Sequence, residues 1–190
     1  MRCRLVGSEM CIRDRFSKSG ETKSLVPFAA SSIPLVTLGT FLLWFGWFGF
    51  NGFSQLAMGT FDDVNAISKI AVNTHLAGAA GTVAAAVVTR LLGGKTDIVM
   101  MLNGALAGLV AITAEPLTPS PVLAIVIGAI GSLIMYFGTK FLESKKIDDV
   151  VGAIPVHMFA GIFGTLVVPI SNPDTNFGTQ LTGVIAVCLF

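Results

Sequence analysis

The sequence predicts an all-α protein, a polytopic bundle of transmembrane helices. Of its 190 residues, 53% are hydrophobic and 12% are charged, whereas soluble domains are about 45–50% apolar and about 25% charged. Mean hydropathy is +0.80. Six apolar stretches follow one another, each complete stretch near the roughly 20 residues that a bilayer crossing needs. The charges of the connecting segments alternate, as consecutive crossings require.

The first fifteen residues differ from the rest and are set aside. They are basic, have no periodicity and lack the apolar core of a signal peptide. The run EMCIRDR is typical of a translated sequencing adaptor, so we interpret residues 1–15 as an artefact. Cys3 and Cys11 belong to this segment, and Cys188 alone remains. The sequence therefore offers neither a disulfide framework nor a cysteine metal site.

The membrane domain is expected over residues 33–190, and it is expected to be partial. Residues 16–32 form a polar segment that is expected to be a cytoplasmic loop. The six apolar spans cover residues 33–50, 64–92, 98–113, 121–142, 150–170 and 177–190. The third is the shortest complete span. The second is longer than a crossing needs, so its start is expected to lie outside the hydrocarbon.

Charges in the loops support six crossings and give an orientation. Every second loop contains cations, and the loops between them contain none. The cations are Lys18, Lys23, Arg90, Lys95, Lys140, Lys145 and Lys146, and the cation-free loops contain Asp62, Asp63, Glu115 and Asp174. Because cytoplasmic loops are enriched in Lys and Arg, the first span is expected to run outward. Lys69 fits least well and is placed near the outer end of the second span.

Small residues predict how the helices pack. Gly104 and Gly108 form a G-x-x-x-G pair in the third span, and the second span is rich in glycine and alanine between residues 78 and 85. Glycines also recur in the first span, at Gly39, Gly46 and Gly49. In lipid, helices associate through close approach at small residues. We therefore expect a compact bundle rather than separate anchors.

The first span is organised around aromatic side chains. Residues 44–50 contain two tryptophans and three phenylalanines, and polar Asn51 and Ser54 follow where the apolar run stops. This composition favours an aromatic belt at the membrane interface. The mouth of a pore is the alternative.

His157 is the most informative ionisable residue because it lies in the middle of the fifth span. An unpaired imidazole in hydrocarbon is costly, so a histidine at this depth indicates function. Pro155, just before it, frees a backbone carbonyl one turn earlier, which a cavity or a neighbouring helix must satisfy. His75 is nearer a span end and is expected to be a hydrogen-bonded packing residue. Asp148 and Asp149 begin the fifth span and are expected to cap it.

Other classes of function find no support in these residues. There is no nucleophile elbow, phosphate loop or ligand cluster with metal spacing. We therefore expect no enzyme activity, no catalytic residue, no cofactor and no metal site. A formal net charge of +1 and the lack of a basic patch with interleaved aromatics argue against nucleic-acid binding.

Three stretches carry a resemblance to a known family. They are LGTFLLWFGWFGFNGFS (residues 38–54), NGALAGLVAITAEP (103–116) and KIDDVVGAIPVHMFAGIFGTL (146–166). In their order and separation they closely resemble the ammonium transporter family (Amt/Mep/Rh). The resemblance implies eleven helices, built as two inverted halves and a last helix, and homotrimers with one pore per subunit. It implies that this chain is the second half of that fold, from the sixth helix to part of the eleventh.

The resemblance also implies roles for four residues. Trp47 is similar to the pore-wall tryptophan, and Phe50 to one of two phenylalanines that gate the outer entrance. Ser54 is similar to the serine that hydrogen-bonds ammonium in the outer vestibule, although Phe53 stands where a small residue is usual. His157 is similar to the second member of a histidine pair inside the pore.

Two positions depart from the family pattern or lack a counterpart. The first histidine of the pair would belong to a preceding helix, and His75 is not its equivalent. Gly152 stands where many relatives have aspartate, which puts the anchoring of the fifth span in doubt.

The function implied is transmembrane transport of ammonium or ammonia. Ammonium would be recruited at an outer aromatic and serine site and deprotonated, and ammonia would pass the pore histidine. An ammonium sensor of the same fold is the alternative, and a bundle from another transporter superfamily is a second one. The implied setting is a lipid bilayer, the plasma membrane or prokaryotic inner membrane, and a PII-type protein is the implied regulator.

Overall fold

The structure is a computed structural model that describes residues 16–19, 22–25, 32–147 and 149–190, the first two ranges by their backbone alone. Within these ranges six α-helices follow one another: α1 (Ile33–Phe53), α2 (Phe61–Gly93), α3 (Ile98–Thr113), α4 (Pro121–Ser144), α5 (Ala160–Ser171) and α6 (Phe177–Leu189). A π-helical segment, Ile154–Phe159, leads directly into α5. Two short strands, β1 (Phe16–Ser19) and β2 (Thr22–Leu25), precede the helices.

All six predicted spans are helices, so the helical fold class is confirmed. By length and composition, four helices of the described chain could cross a membrane: α1, α2, α4 and the continuous helix Ile154–Ser171. The helices α3 and α6 are apolar but shorter, with 16 and 13 residues. The helix of the third span, α3, is therefore shorter than α2 and α4 on either side of it, as the sequence predicts.

Two short strands lie within the segment expected to be a loop, residues 16–32. Strands β1 and β2 pair in antiparallel register, from Phe16 opposite Leu25 to Ser19 opposite Thr22. Pairing gives partners to backbone groups that a loop would leave to water. Strands of four residues are too short to display a period-2 pattern, which explains why the sequence reasoning missed them.

Side-chain caps set where the helices begin. The Thr60 hydroxyl accepts a hydrogen bond from Asp63 N (3.1 Å), and the Asp63 carboxylate accepts one from Thr60 N (3.0 Å). This reciprocal pair starts α2 just before the predicted apolar run. At the other end of α2, Gly94 adopts φ +71° and ends the helix. Asp97 then caps α3 through Val99 N and Met100 N.

Small residues allow α2, α3 and α4 to pack closely at the centre of the bundle. A methyl group added at Gly104 would lie 2.7 Å from Gly81 O and 2.8 Å from Ser132 Oγ, closer than van der Waals contact permits. One added at Gly108 would overlap the carbonyl of Ala77. The predicted role of the G-x-x-x-G pair is therefore confirmed, because both glycines face the backbone of α2.

The glycines of α1 do not behave in this way. Side chains added at Gly39 and Gly46 would meet nothing within 4 Å, and one at Gly49 would meet only the ring of Phe53 on the same helix. The expectation that these glycines admit another backbone is not met within the described residues. The apolar face of α1 is instead largely exposed.

Two polar side chains fasten the α3–α4 connection to the bundle. Asn73 of α2 is fully buried and donates to Pro116 O and Pro119 O, both at 2.9 Å. The Glu115 carboxylate accepts hydrogen bonds from Thr118 N (3.3 Å) and from Asn172 Nδ2 (2.9 Å), just beyond α5. Because these bonds join α2, the α3–α4 loop and α5, they fix the end of the bundle where Trp47 also lies.

Candidate functional site

Trp47 is held at the end of α3 by a cross-helix hydrogen bond. Its indole Nε1 donates to Thr113 Oγ1 at 2.7 Å. The Thr113 hydroxyl in turn donates to Leu109 O (2.7 Å), which leaves its lone pairs directed to the indole. A short bond with both partners oriented fixes the plane of the tryptophan ring.

Phe50 and Ser54 lie together beside Trp47. The ring centroids of Trp47 and Phe50 are 5.9 Å apart with an interplanar angle of 58°. Ser54 follows the last residue of α1, and its Oγ donates to Phe50 O at 2.8 Å. The structure thus brings together three of the four residues that the resemblance implies.

Phe50 and Ser54 border an open recess of about 530 Å³. Phe50 and Ser54 line it together with Phe53, Leu56 and the small residues Gly46 and Gly49. Both phenylalanine rings are largely exposed, at 64% and 77%. Because the Ser54 O–H donates its hydrogen bond to Phe50 O, the hydroxyl oxygen can only accept one from a molecule in the recess. An aromatic surface with a hydrogen-bond acceptor suits a small cation that donates hydrogen bonds.

His157 lies in the π-helical segment, with its imidazole exposed. Pro155 at the start of this segment is buried and has no N–H to donate. Ala160 N donates to Pro155 O, the i to i+5 bond that defines the wider turn. The carbonyl that Pro155 leaves without its helical partner, one turn earlier, is that of Val151. Asn103 Nδ2 of α3 donates to it at 3.0 Å, so a neighbouring helix satisfies this carbonyl, as the sequence predicts. The π-helical turn itself was not predicted.

The start of this segment is anchored by a carboxylate and an amide. Asp149 Oδ1 accepts from Ala153 N (2.9 Å), and its Oδ2 accepts from Ile154 N (2.8 Å). The capping role predicted for Asp149 is confirmed, whereas Asp148 lies outside the described residues. Asn103 of α3 donates to Val151 O at 3.0 Å. The anchoring of the fifth span, in doubt from the sequence, is therefore supplied by these two side chains.

Gly152 is required by this anchor. Its φ of +77° is unfavourable for residues with a side chain. A Cβ there would lie 2.7 Å from Asn103 Nδ2. An aspartate at this position would displace Asn103, so glycine and asparagine form a matched pair in this chain. The sequence signal that could have found the pair is a glycine three residues before a proline.

Trp47, Phe50 and Ser54 form one group of candidate residues, and His157 is separate from it. Among the described residues, no hydrogen bond or ring contact joins His157 to Trp47, Phe50 or Ser54. Both parts are nonetheless fixed to α3, one through Thr113 and the other through Asn103. Ten residues of helix place these two anchor points about 15 Å apart along the axis.

His75 contacts aromatic rings rather than the candidate site. Its ring centroid is 5.5 Å from that of Trp44 and 6.2 Å from that of Phe48, the latter nearly stacked at 23°. The packing role expected for His75 agrees with these contacts. The hydrogen bond expected with it does not occur within the described part of the chain.

Comparisons with known proteins place the chain in a family. A family model described as "Ammonium Transporter Family" matches residues 10–186. The chain belongs to the ammonium transporter family. The match starts within residues 1–15, which the sequence predicts to be an artefact, and extends almost to the last residue.

The chain matches only part of the length of each curated relative. Ammonium transporter Amt2 of Archaeoglobus fulgidus is 46% identical over 151 residues, which are 80% of this chain and 31% of that protein. The chain spans about a third of the length of the curated relatives it matches.

Solved structures of the same family share the fold. A structure titled "Sensor Amt Protein" has a TM-score of 0.78 and 36% identity, covering 86% of this chain and 42% of that one. Mep2 of Candida albicans has a TM-score of 0.77 and 27% identity, covering 85% and 39%. The chain is therefore a multi-pass membrane protein with the ammonium transporter fold.

Proposed function

We propose that the protein to which this chain belongs moves ammonium across a membrane by conducting ammonia. The recess formed by Phe50, Phe53 and Ser54 beside the fixed ring of Trp47 is the observation that carries this proposal. Membership of the ammonium transporter family supports the choice of substrate. In this proposal Trp47 and Phe50 attract ammonium through their ring faces, and Ser54 Oγ accepts one of its hydrogen bonds.

Deprotonation at the recess follows from the cost of moving charge through an apolar pore. An ion in hydrocarbon loses hydration that an apolar wall does not replace. Ammonia carries no charge and passes more cheaply. We assign His157 to the pore wall, where a neutral imidazole both donates and accepts hydrogen bonds and can order ammonia or relay the proton.

The setting and assembly are part of the same proposal. The face of α1 exposes Leu38, Phe41, Leu42 and Phe45, all more than half exposed. Apolar area of this extent needs lipid or protein to cover it. We propose a homotrimer in the plasma membrane, which in a prokaryote is the inner membrane, with a PII-type protein as its regulator.

The test is ammonium-evoked current in proteoliposomes that contain the full-length protein with this chain in place. We expect a saturable current in the wild type and its loss, or a change in selectivity, in His157→Ala. His75→Ala is the matched control, because His75 packs on α1 aromatics and should leave the current unchanged. Wild-type current in His157→Ala would contradict the pore assignment. If no current flows, the internal pH of the same vesicles separates electroneutral ammonia passage from no passage.

Sensing is a second candidate, favoured by the likeness to the structure titled "Sensor Amt Protein". A sensor would use the same recess to bind ammonium but need not conduct it. Ammonium binding with neither current nor a change in internal pH would favour sensing. Transport in the wild type would favour the first proposal.

A further inference from the structure

A polar pocket of about 490 Å³ lies where α2 ends, α3 begins and α4 passes. Lys95 and Asp97 line it from the α2–α3 turn, and Tyr136 and Lys140 line it from successive turns of α4. It is far in sequence from the recess at the end of α1 and shares no residue with it. The site proposed for ammonium makes no use of it.

Tyr136 presents to the pocket a hydroxyl without a partner in the described part of the protein. The side chain is 7% exposed, and its ring packs edge-on against Phe137 at 5.4 Å. Its hydroxyl makes no hydrogen bond within the described residues, yet it is not among the fully enclosed polar atoms that lack a partner. The hydroxyl is therefore accessible from the pocket. Tyrosines that are mostly buried normally pair this group, and here the accessible hydroxyl is a donor that no described protein group uses.

The charges around the pocket favour an anion. Lys95 has no ion-pair partner among the described residues, and Lys140 Nζ is 3.1 Å from Glu143 Oε2. That pair is on the surface, where such bridges contribute little, so Lys140 can turn to a stronger partner. Asp97 is the opposing charge, but its Oδ1 accepts hydrogen bonds from Val99 N (2.9 Å) and Met100 N (3.1 Å). Its charge is thereby directed to the start of α3.

We propose that this pocket binds a phosphate group, held by the two lysines and by the Tyr136 hydroxyl. Phosphate offers several acceptor oxygens and negative charge, which match two ammonium groups and one O–H donor. Loop charges place this end of the bundle on the cytoplasmic side. The phosphate can therefore come from an anionic lipid headgroup of that leaflet or from a soluble phosphate. The proposal is independent of ammonium conduction.

The experiment compares three variants of the full-length protein in detergent. Native mass spectrometry measures binding of phosphatidylglycerol, with phosphatidylcholine as the reference lipid, and calorimetry measures binding of inorganic phosphate. Lys95→Ala with Lys140→Ala removes both pocket cations. Lys145→Ala with Lys146→Ala removes the same charge from the same end of α4 without touching the pocket lining. Tyr136→Phe removes only the hydroxyl.

We expect the pocket double variant to lose at least about tenfold in affinity and Tyr136→Phe about threefold to tenfold. The control double variant should stay within about twofold of the wild type. Competition by inorganic phosphate would identify a soluble ligand, and binding of phosphatidylglycerol alone would identify a lipid headgroup; both support the site. Equal losses in the two double variants, no effect of Tyr136→Phe, or no binding of either probe would overturn it.

Discussion

The two tryptophans of α1 occupy opposite hydrogen-bonding environments although they are one turn apart. Trp47 Nε1 donates to Thr113 Oγ1 at 2.7 Å. Trp44 Nε1 is buried without a partner in the described residues, beside His75 and Gly78. A buried donor without a partner costs free energy. The indole of Trp47 is thus fixed by a bond, whereas that of Trp44 is fixed by packing alone.

This difference gives a prediction for matched substitutions. Trp47→Phe should lower the free energy of unfolding by about 0.5–1.5 kcal/mol more than Trp44→Phe, because only the first loses a hydrogen bond while both lose similar ring volume. Thermal unfolding of the detergent-solubilised full-length protein measures the two. Introduced into the wild type, Thr113→Val should lower the free energy of unfolding by this same additional amount. Introduced into the Trp47→Phe variant, it should lower it little further. Equal effects of the two tryptophan changes would refute the role of this bond.

The residues just before the helix that contains His157 determine how the chain enters it. Asp149 caps two amides, Asn103 holds Val151 O, and Gly152 turns the chain at φ +77°. The π-helical segment that follows contains Pro155. Because side chains in a π-helix are spaced differently around the axis than in an α-helix, and His157 lies within this segment, we expect these features together to set the direction of the His157 side chain.

We therefore expect Gly152→Ala to lower the free energy of unfolding more than Gly94→Ala does. Both glycines have positive φ, and alanine in that region costs about 1–2 kcal/mol. At Gly152 the new methyl also meets Asn103 Nδ2, whereas at Gly94 it meets nothing within 4 Å. We expect Gly152→Ala to be destabilised by about 1 kcal/mol more and to lose conduction.

Chemical denaturation and the proteoliposome assay measure these two effects in the full-length protein. Gly94→Ala is the control and should keep its conduction. If both variants unfold alike and conduct alike, the contact between Gly152 and Asn103 does not position the helix.

At the scale of the whole molecule, the bundle is built on contacts between backbones. Residues Ala77, Gly81, Gly104, Gly108 and Gly128 lie where helices α2, α3 and α4 meet, and their carbonyl and Cα atoms touch across helices. Most large apolar side chains of α1 are exposed, whereas Trp44, Trp47 and Phe48 contact α2 or α3. Attraction between helices in lipid depends on such close approach, so the centre of this molecule tolerates little added volume.

Gly128→Ala tests this arrangement. The added methyl would overlap the backbone of Ala77, which cannot rotate away as a side chain can. We expect a loss of about 1–3 kcal/mol in unfolding free energy. Gly93→Ala, near the end of α2 with nothing within 4 Å, should be neutral or slightly stabilising. Thermal unfolding in detergent compares them, and comparable stability of both would argue against backbone contact at the centre.

Much of the architecture was predictable because it follows from composition and local pattern. The lengths of the apolar stretches predicted all six helices. The predicted start and end of the third span agree with those of α3 to the residue. The G-x-x-x-G pair and the cap at Asp149 were also predictable, since both depend on residue types at fixed spacing. The short strands were not, because four residues carry too little pattern.

The sequence by itself determined the helical membrane fold, the family and the candidate functional residues, since hydropathy, charge and motifs are properties of the chain alone. The tertiary structure decided what those residues touch. Only the fold pairs Trp47 with Thr113, sets Gly152 against Asn103 and brings Tyr136 to a pocket with two lysines. These partners are distant in the chain, and their meeting depends on how closely the helices approach and how each one is rotated.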